Sequence, residues 1–475
     1  MTTTVTSPPP VRVTARATTR ALALLEGRLL LCGPLLWVGV VLAAALCTTW
    51  GWTTQPDWPS FTGNAGMAAL VLAGFLLLLG HQAASRDHRY GTAETASALP
   101  TSARQRTIAL LALVPVAGLA GALAFGAALL ALAPAWPAGD FDPWLALITV
   151  TVPMAGVALG VAVGRWLPAT AAGPLALFAS AAVLGALPVL GSGAGDLPWV
   201  LFPVVVDPVL PGAPQPTAWH LLYLAAVLIA VGAAIPLRHR RALPAIVLVL
   251  ALLSAGVAVR RQLDERAAAG PAAQAVESQR CERHDRVSYC ALPGYGRWIP
   301  LWRAAVEPVV RAVPPAAGEL PAVRQGTALP SSVITTTSWG RHGRWAAESR
   351  ARLSQKYIRL LLGMPAPPES PSPTGAEPTC SGAGQLRTVV ALWLAAQADP
   401  EGDVLRHPGK VSLGMVRFGR AEIQAAARLH DAPVPQVTAM LAEHWAAIRS
   451  PAPVGGVLAP FGVTAVQPDG ETPCP

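Results

Sequence analysis

The sequence predicts an α-helical polytopic membrane protein that carries a separate, water-exposed C-terminal domain. Three observations predict this architecture. Only 13% of the 475 residues are charged, about half the share found in soluble globular proteins. Seven segments stay apolar over the roughly 20 residues that a helix needs to cross the hydrocarbon core. The acidic residues are unevenly spread, with 8 before residue 262 and 18 from there on, which favours a membrane part followed by a soluble part.

The seven predicted spans have uncharged centres. Because a transmembrane helix satisfies its own backbone hydrogen bonds, these segments suit a bilayer. Gly156 and Gly160 in the fourth span would allow close packing against a neighbouring helix. Ahead of the first span, residues 12–28 have the pattern of an amphipathic helix at the membrane surface, and we expect an uncleaved anchor rather than a signal peptide. The spans cover about 29–48, 64–81, 107–132, 144–163, 169–190, 218–237 and 242–260.

The distribution of arginine predicts the orientation. Arginines occupy the leader and alternate connections, namely Arg12, Arg16, Arg20, Arg28, Arg86, Arg89, Arg104, Arg106, Arg165, Arg238, Arg240 and Arg241. The intervening connections 49–63, 133–143 and 191–217 contain five aspartates and no lysine or arginine. Since basic loops stay in the cytoplasm, we expect a cytoplasmic N-terminus and residues 261–475 outside. Arg260 and Arg261, just beyond the last span, are the exception.

Four cysteines fall in the region predicted to lie outside. An oxidising exterior permits disulfides, and four cysteines allow three pairings. We expect Cys281–Cys290, which closes a short loop, and Cys380–Cys474, which ties down the tail. Four free thiols remain an alternative. A metal site is disfavoured, because neither a C-x-x-C motif nor closely spaced histidines are present.

One polar segment, "SRDHRYGTAETASALPTSARQR" at 85–106, separates the second and third spans. We expect the second helix to continue through 86–89 and to end at Gly91, which can adopt the left-handed conformation. Thr92 can then cap a short surface helix with Glu94 in its first turn.

The same segment also contains residues that end the short helix and start the next one. Pro100 stops the short helix, and Ser102 with Gln105 forms a capping box that starts the third span. The pattern therefore predicts a rigid helical bend that could pass movement from a cytoplasmic partner into the bilayer. Taken alone, the segment favours the alternative, a polar hairpin that merely keeps two helices apart.

The segment resembles the cytoplasmic loop of ABC-2-type ABC transporter permeases, in which R-E-x-x-x-G-T-x-E precedes a proline and a basic stretch. Asp87 replaces the usual Glu and keeps its charge, and Thr95 and Ala96 stand where Leu is common. The resemblance implies that the loop, with Arg89 on it, couples the chain to an ATPase. The residues that match are Arg86, Gly91, Thr92, Glu94 and Pro100.

The resemblance also implies an overall plan. Residues 1–28 would form a cytoplasmic leader and interfacial helix, and 29–237 an ABC-2-type unit of six helices. Residues 242–260 would form a seventh transmembrane helix, and 261–475 a mainly helical extracellular domain in which strands can occur. Residues 197–210, between the fifth and sixth spans, would be either a re-entrant segment or a loop packed on the helix ends, with equal weight.

The implied function is that of a permease subunit, most naturally an exporter, in a bacterial cell membrane. A second permease, identical or related, would complete the pathway within the lipid bilayer. Two separate ABC ATPase subunits would bind ATP and Mg²⁺, so the chain itself would carry no cofactor. We expect no nucleic-acid partner, since the basic excess reports orientation.

No catalytic or metal-binding residues are expected, and we predict that the chain is not an enzyme. It has no G-x-x-x-x-G-K-[ST] loop for ATP and no H-E-x-x-H motif. Within residues 262–475 we expect helices at 297–313, 344–363, 384–397 and 420–449 and a flexible tether at 364–380. The alternative function is a polytopic anchor or signalling protein that presents an extracellular binding domain.

Overall fold

The computed structural model describes most of the chain and shows a largely helical protein. The described residues are 15–92, 101–194, 196–205, 216–239, 242–268, 279–326, 332–335, 338–365, 380–399, 404–407, 411–463 and 472–475. Several residues and segments named above lie outside these ranges, namely Arg12, Glu94, Pro100, Arg240, Arg241, most of the predicted tether and residues 206–210.

Ten helices make up the described part of the N-terminal region. Seven helical stretches are long and apolar enough to cross a membrane, and α4 and α5 together count as one of them. The coarse prediction of a polytopic α-helical membrane protein with seven spans is therefore confirmed. The helices are α1 Ala15–Cys32, α2 Pro34–Gly51, α3 Trp58–Arg89, α4 Ala103–Leu111, α5 Leu113–Leu132, α6 Pro143–Trp166, α7 Ala172–Ala194, α8 Leu197–Leu201, α9 Thr217–Ala234 and α10 Ala242–Ala268.

The first span begins later than the hydropathy pattern predicts. Residues 29–32 belong to α1, and α2 starts at Pro34. Gly33 is extended, with φ −71° and ψ 124°, and Pro34 lacks the N–H that a continuous helix would need. A proline at the first helical position therefore separates the N-terminal helix from the span, although the apolar residues run on across the break.

Helix α3 is the longest described helix, with 32 residues, and it packs most extensively against α6. Asp57 caps its beginning by accepting a hydrogen bond from the Ser60 N–H at 2.9 Å. Gly156 and Gly160 of α6 lie against the α3 backbone. A Cβ at Gly156 would come within 2.5 Å of the Ala73 carbonyl oxygen. The absence of a side chain at both glycines is what allows this close approach.

The segment after α7 packs into the helix bundle. Helix α8 has five residues, and Val200, Phe202 and Val204 beside it are buried. Phe202 and Val204 share a hydrophobic cluster with residues of α3, α6 and α9. In addition, the Tyr223 hydroxyl of α9 donates to the Leu201 carbonyl at 3.2 Å. The described part of this connection is thus a short helix followed by a bent stretch, in which Phe202 and Val204 are buried among residues of longer helices.

Residues 279–475, here called the C-terminal domain, have their own hydrophobic core around α13, whose residues from Leu386 to Ala396 are all buried. A four-stranded sheet has the order β1-β2-β3-β4, with β1 and β2 antiparallel and the other neighbours parallel. The elements are β1 Arg280–His284, β2 Val287–Ala291, α11 Ile299–Ala312, β3 Ala322–Gln325, β4 Ser332–Thr335, α12 Gly343–Leu361, β5 Cys380–Ser381, α13 Leu386–Gln397, β6 Val416–Arg417, α14 Arg420–Asp431 and α15 Val434–Ile448.

Two disulfides hold this domain, and they join the pairs named from the sequence. Cys281 and Cys290 lie opposite each other on β1 and β2. Cys380 on β5 bonds to Cys474, 94 positions further along the chain, so the tail returns to the small sheet.

The C-terminal domain contacts the connections that carry aspartate. The Arg341 N–H donates to the Thr53 carbonyl at 2.9 Å, and the Gly139 N–H donates to the Gly294 carbonyl at 3.0 Å. Both contacts lie beyond the ends of membrane-length helices. The domain therefore sits on the side of the helix bundle opposite the arginine-rich connections.

Candidate functional site

The sequence-predicted loop begins at the arginine-rich end of α3. The helix ends at Arg89, and Gly91 has φ 65°, in the left-handed region that glycine adopts without strain. The Thr92 N–H and its hydroxyl both donate to the Asp87 carbonyl, at 3.0 and 3.3 Å. These hydrogen bonds close α3, and the predicted cap of the next helix stays a prediction, because residues 93–100 lie outside the described ranges. A threonine side chain can satisfy either end, and here it bonds to the free carbonyl before it.

The chain returns to helical structure at α4 through a complete capping box. The Gln105 N–H donates to the Ser102 hydroxyl oxygen at 3.2 Å, and the Ser102 N–H donates to the Gln105 side-chain oxygen at 2.8 Å. Two N–H groups that a helix leaves free are thereby satisfied. The predicted capping box is confirmed, and it defines the direction in which α4 leaves the loop.

An ion pair joins this loop to the N-terminal helix. Arg86 of α3 donates from Nη1 and Nη2 to the two carboxylate oxygens of Glu26 on α1, at 3.1 and 3.2 Å. The paired geometry is the bidentate one that gives arginine–carboxylate contacts their strength. Only 17% of the Glu26 side chain is exposed, so solvent screens the pair less than a surface contact. Arg106 of α4 adds a longer contact to Asp87, at 3.8 Å.

Sequence reasoning did not select Glu26. The available signal is that Glu26 is the only acidic residue before Asp57, in a leader that is otherwise basic. A lone carboxylate among arginines marks a candidate for a specific ion pair. Its partner could not be identified from the sequence, because the two residues are 60 positions apart.

The described turn that follows α3 faces solvent. Arg89, Gly91 and Thr92 are exposed, and the Arg89 guanidinium lies 5.5 Å from the centre of the Tyr90 ring. Four of the seven predicted loop residues thus lie on a single turn next to Arg86: Asp87, Arg89, Gly91 and Thr92. The arrangement offers hydrogen-bonding groups and charge on a surface, which suits binding of another protein.

The described residues contain no group of three or more His, Cys, Asp or Glu side chains that could hold a metal ion. The predicted site therefore consists of surface contacts and ion pairs in the described ranges. No protein family model matches the chain, and no curated protein matches it in sequence. The fold defines a polytopic α-helical membrane protein with a docked C-terminal domain.

Proposed function

We propose that this chain is the membrane-spanning permease subunit of an ABC transporter, acting as an exporter and driven by a separate ATPase. One observation carries the proposal. Arg86, the first residue of the motif that resembles the ABC-2 coupling loop, is bound to Glu26 on α1 through both terminal guanidinium nitrogens. The ion pair therefore links the loop and α3 to the N-terminal helix on the arginine-rich side, where a cytoplasmic ATPase would act.

The arginine-rich side is the cytoplasmic side in this proposal, and the membrane is a bacterial cell membrane. The C-terminal domain is then extracellular, where its two disulfides are compatible with an oxidising environment. Two ATPase subunits bind ATP and Mg²⁺ and dock on the exposed turn at Arg89–Thr92. A second permease, either the same chain or a relative, completes the pathway.

Helix α3 supplies the mechanical connection. Its 32 residues span about 48 Å at 1.5 Å per residue, from Asp57 to the coupling turn without a break. Asp57 directly follows the connection in which Gln55 donates to the Trp339 carbonyl. A tilt of α3 imposed at Arg86 would consequently be transmitted to the contact with the C-terminal domain.

Co-purification tests the proposal. The full chain, extracted in mild detergent from the cell that makes it, should bring an ABC ATPase with it. Reversing one charge of the loop, by Arg89→Glu on the exposed turn or by Glu94→Lys further along the sequence, should abolish recovery of the ATPase and leave insertion intact. Arg420→Glu, an equal reversal on the exposed start of α14, should have no effect.

Recovery of the intact chain without any ATPase would contradict the proposal and would favour the alternative, an anchor or signalling protein that presents its C-terminal domain. Unchanged ATPase recovery by both loop variants would show that the turn is not the docking site. ATPase activity measured in reconstituted vesicles, with and without the chain, separates a bound contaminant from a coupled motor.

A further inference from the structure

A cleft lies where the C-terminal domain meets the end of α2. Residue Trp52 caps that helix, and its ring lies edge-on to His342 with 5.9 Å between ring centres. The next residue, Thr53, accepts the hydrogen bond from Arg341. Since α2 is a membrane-length helix that ends at Gly51, the segment 339–345 lies at the level of the membrane surface.

Positive charge is concentrated at this place. Residues 341–361, which include all of α12, contain six arginines and lysines and one acidic residue, Glu348. This stretch has a net charge of +5, whereas residues 262–475 as a whole have +3. The remainder of the soluble region is therefore slightly acidic. The six cations are Arg341, Arg344, Arg350, Arg352, Lys356 and Arg359.

The cleft itself is a cavity of about 210 Å³ between α12 and the start of the α2–α3 connection. Thr53 and Thr54 line one side, and Trp345, Arg352 and Lys356 line the other. Glu348 lines the cavity as well, so hydroxyl groups, an indole ring, two cations and one carboxylate face the same space. A cavity of this size has room for a small polar group with several hydrogen-bond acceptors.

The charge in the cleft is incompletely neutralised. Arg352 pairs with Glu348, and Lys356 has no carboxylate partner among the described residues. Burial lowers the pKa of the Lys356 ammonium group, and the neighbouring cations Arg359 and Arg352 lower it further. An anion entering the cleft would relieve both the repulsion and the desolvation.

Two further guanidinium groups lie beside the cleft against aromatic rings. Arg341 lies 5.3 Å from the centre of the Trp52 ring, and Arg344 lies 4.3 Å from that of Trp345. The Nη1 atom of Arg341 is buried and has no hydrogen-bond partner among the described residues. A buried donor without an acceptor is unfavourable, so an acceptor oxygen held beside the cleft would stabilise this guanidinium group.

We propose that this basic cleft binds the phosphate headgroup of an anionic phospholipid from the adjacent leaflet. Arginine and lysine donors match phosphate oxygens. A basic segment at the membrane surface is attracted to anionic lipid by about 1 kcal/mol per cation, and tryptophan favours the headgroup level. The lipid would fasten the C-terminal domain to the bilayer. This inference requires only that the chain is embedded in a membrane, and it is independent of the transport proposal.

Thermal unfolding of the detergent-purified full chain tests the inference, with short-chain phosphatidylglycerol as the probe. A ligand that binds the folded state raises Tm in a concentration-dependent way, which yields an apparent Kd. We expect phosphatidylglycerol to raise Tm, and phosphatidylcholine or inorganic phosphate at the same concentration to have little effect. Lys356→Gln should weaken the apparent affinity about fivefold, and Arg341→Gln/Lys356→Gln about 25-fold.

A matched control removes the same charge elsewhere. Arg420→Gln/Arg449→Gln changes two exposed cations of the C-terminal domain and should keep the wild-type affinity. Lys356→Arg should keep it as well. If the double cleft variant does not fold, the single variant Lys356→Gln carries the test.

Three results would overturn the inference. An equal loss of affinity in the control variant would show that only the net charge matters. Equal stabilisation by phosphatidylcholine would exclude recognition of the anionic headgroup. Equal stabilisation by inorganic phosphate would identify a site for a free anion rather than for a lipid.

Discussion

Gly139 and Gly294 meet backbone to backbone where the C-terminal domain contacts the helix bundle. The Gly139 N–H donates to the Gly294 carbonyl at 3.0 Å, and both residues have positive φ, 84° and 75°. A Cβ at Gly294 would lie 2.5 Å from the Gly139 carbonyl carbon. Because both residues at this contact are glycines without a side chain, the two backbones can approach to hydrogen-bonding distance.

Gly294→Ala should loosen this contact. The substitution combines a left-handed backbone with a steric overlap, so we expect a loss of at least about 2 kcal/mol in stability of the contact. Arg297, which donates to the Trp136 carbonyl across the same interface, should become a faster site of trypsin cleavage. The rate of trypsin cleavage at Arg297, measured on the detergent-purified chain, reports how far the contact has loosened.

Gly296→Ala is the matched control for that prediction. A Cβ at Gly296 would have no heavy atom within 4 Å, so cleavage at Arg297 should keep its wild-type rate. Equal cleavage rates in Gly294→Ala and wild type would contradict the role assigned to the glycine contact.

Exchanging the charges of Glu26 and Arg86 tests the ion pair between α1 and α3. Glu26→Arg alone places two guanidinium groups together, and Arg86→Glu alone places two carboxylates together. Both should lower Tm, and the double exchange should recover most of the loss. We expect a coupling energy of about 1 kcal/mol, because the Arg86 side chain is 39% exposed and partly screened by solvent.

A double-mutant cycle gives this coupling energy when each Tm shift is converted into a change in the free energy of unfolding. Additive effects of the two single reversals would mean that the pair contributes nothing in solution. The cycle needs no ATPase, so its outcome is independent of the proposed function.

Removal of the disulfides should have unequal effects. The bond between Cys380 and Cys474 closes a loop with a sequence separation of 94, and the bond between Cys281 and Cys290 one of 9. According to the chain-entropy relation, the disulfide of the long loop stabilises the folded state by about 4–5 kcal/mol and that of the short loop by about 2–3 kcal/mol. Serine pairs at each bridge, compared by thermal unfolding under non-reducing conditions, should show the larger loss for Cys380/Cys474. The reverse order would contradict the entropic account.

Asp57→Asn should stabilise the protein at neutral pH. Burial raises the pKa of Asp57 above its ordinary value, and the hydrogen bonds from Ser60 lower it only in part. A raised folded-state pKa means that the charged carboxylate destabilises the fold at neutral pH, and that this loss disappears as pH falls through the folded-state pKa. The gain in Tm from Asn should therefore be present at pH 7 and shrink towards pH 4.

Asp57→Ala separates the charge from the cap. Alanine also removes the charge, yet it leaves the Ser60 N–H without its acceptor, at a cost of about 1 kcal/mol. We expect Tm to rank Asn above Ala at every pH. An Asn variant that loses stability at pH 7 would show that the helix dipole outweighs burial at this carboxylate.

Local rules in the sequence predicted much of the candidate loop. The end of α3 near Gly91 and the capping box of Ser102 and Gln105 depend on residues within one turn of each other, so their spacing is sufficient evidence. The break at Gly33–Pro34 was available from the same kind of rule. It was missed because the apolar run continues across it, and hydropathy does not register a missing N–H.

Contacts between distant parts of the chain could not be predicted in this way. Glu26 and Arg86 are brought together by the packing of α1 and α4 beside the end of α3, and Gly139 and Gly294 by the docking of two separately folded parts. Each partner has many alternatives of the same residue type elsewhere, and sequence spacing carries no information on which of them lies near.

The sequence by itself determined that this is a membrane protein with seven apolar helices, because transfer of a 20-residue segment into lipid depends on composition and not on neighbours. It also determined the helix ends that local capping controls. Only the tertiary structure decided that the C-terminal domain lies against the α2–α3 connection, and that Arg352 and Lys356 of α12 line a cleft beside Thr53. Those positions depend on how whole elements pack, which is a property of shape complementarity in three dimensions.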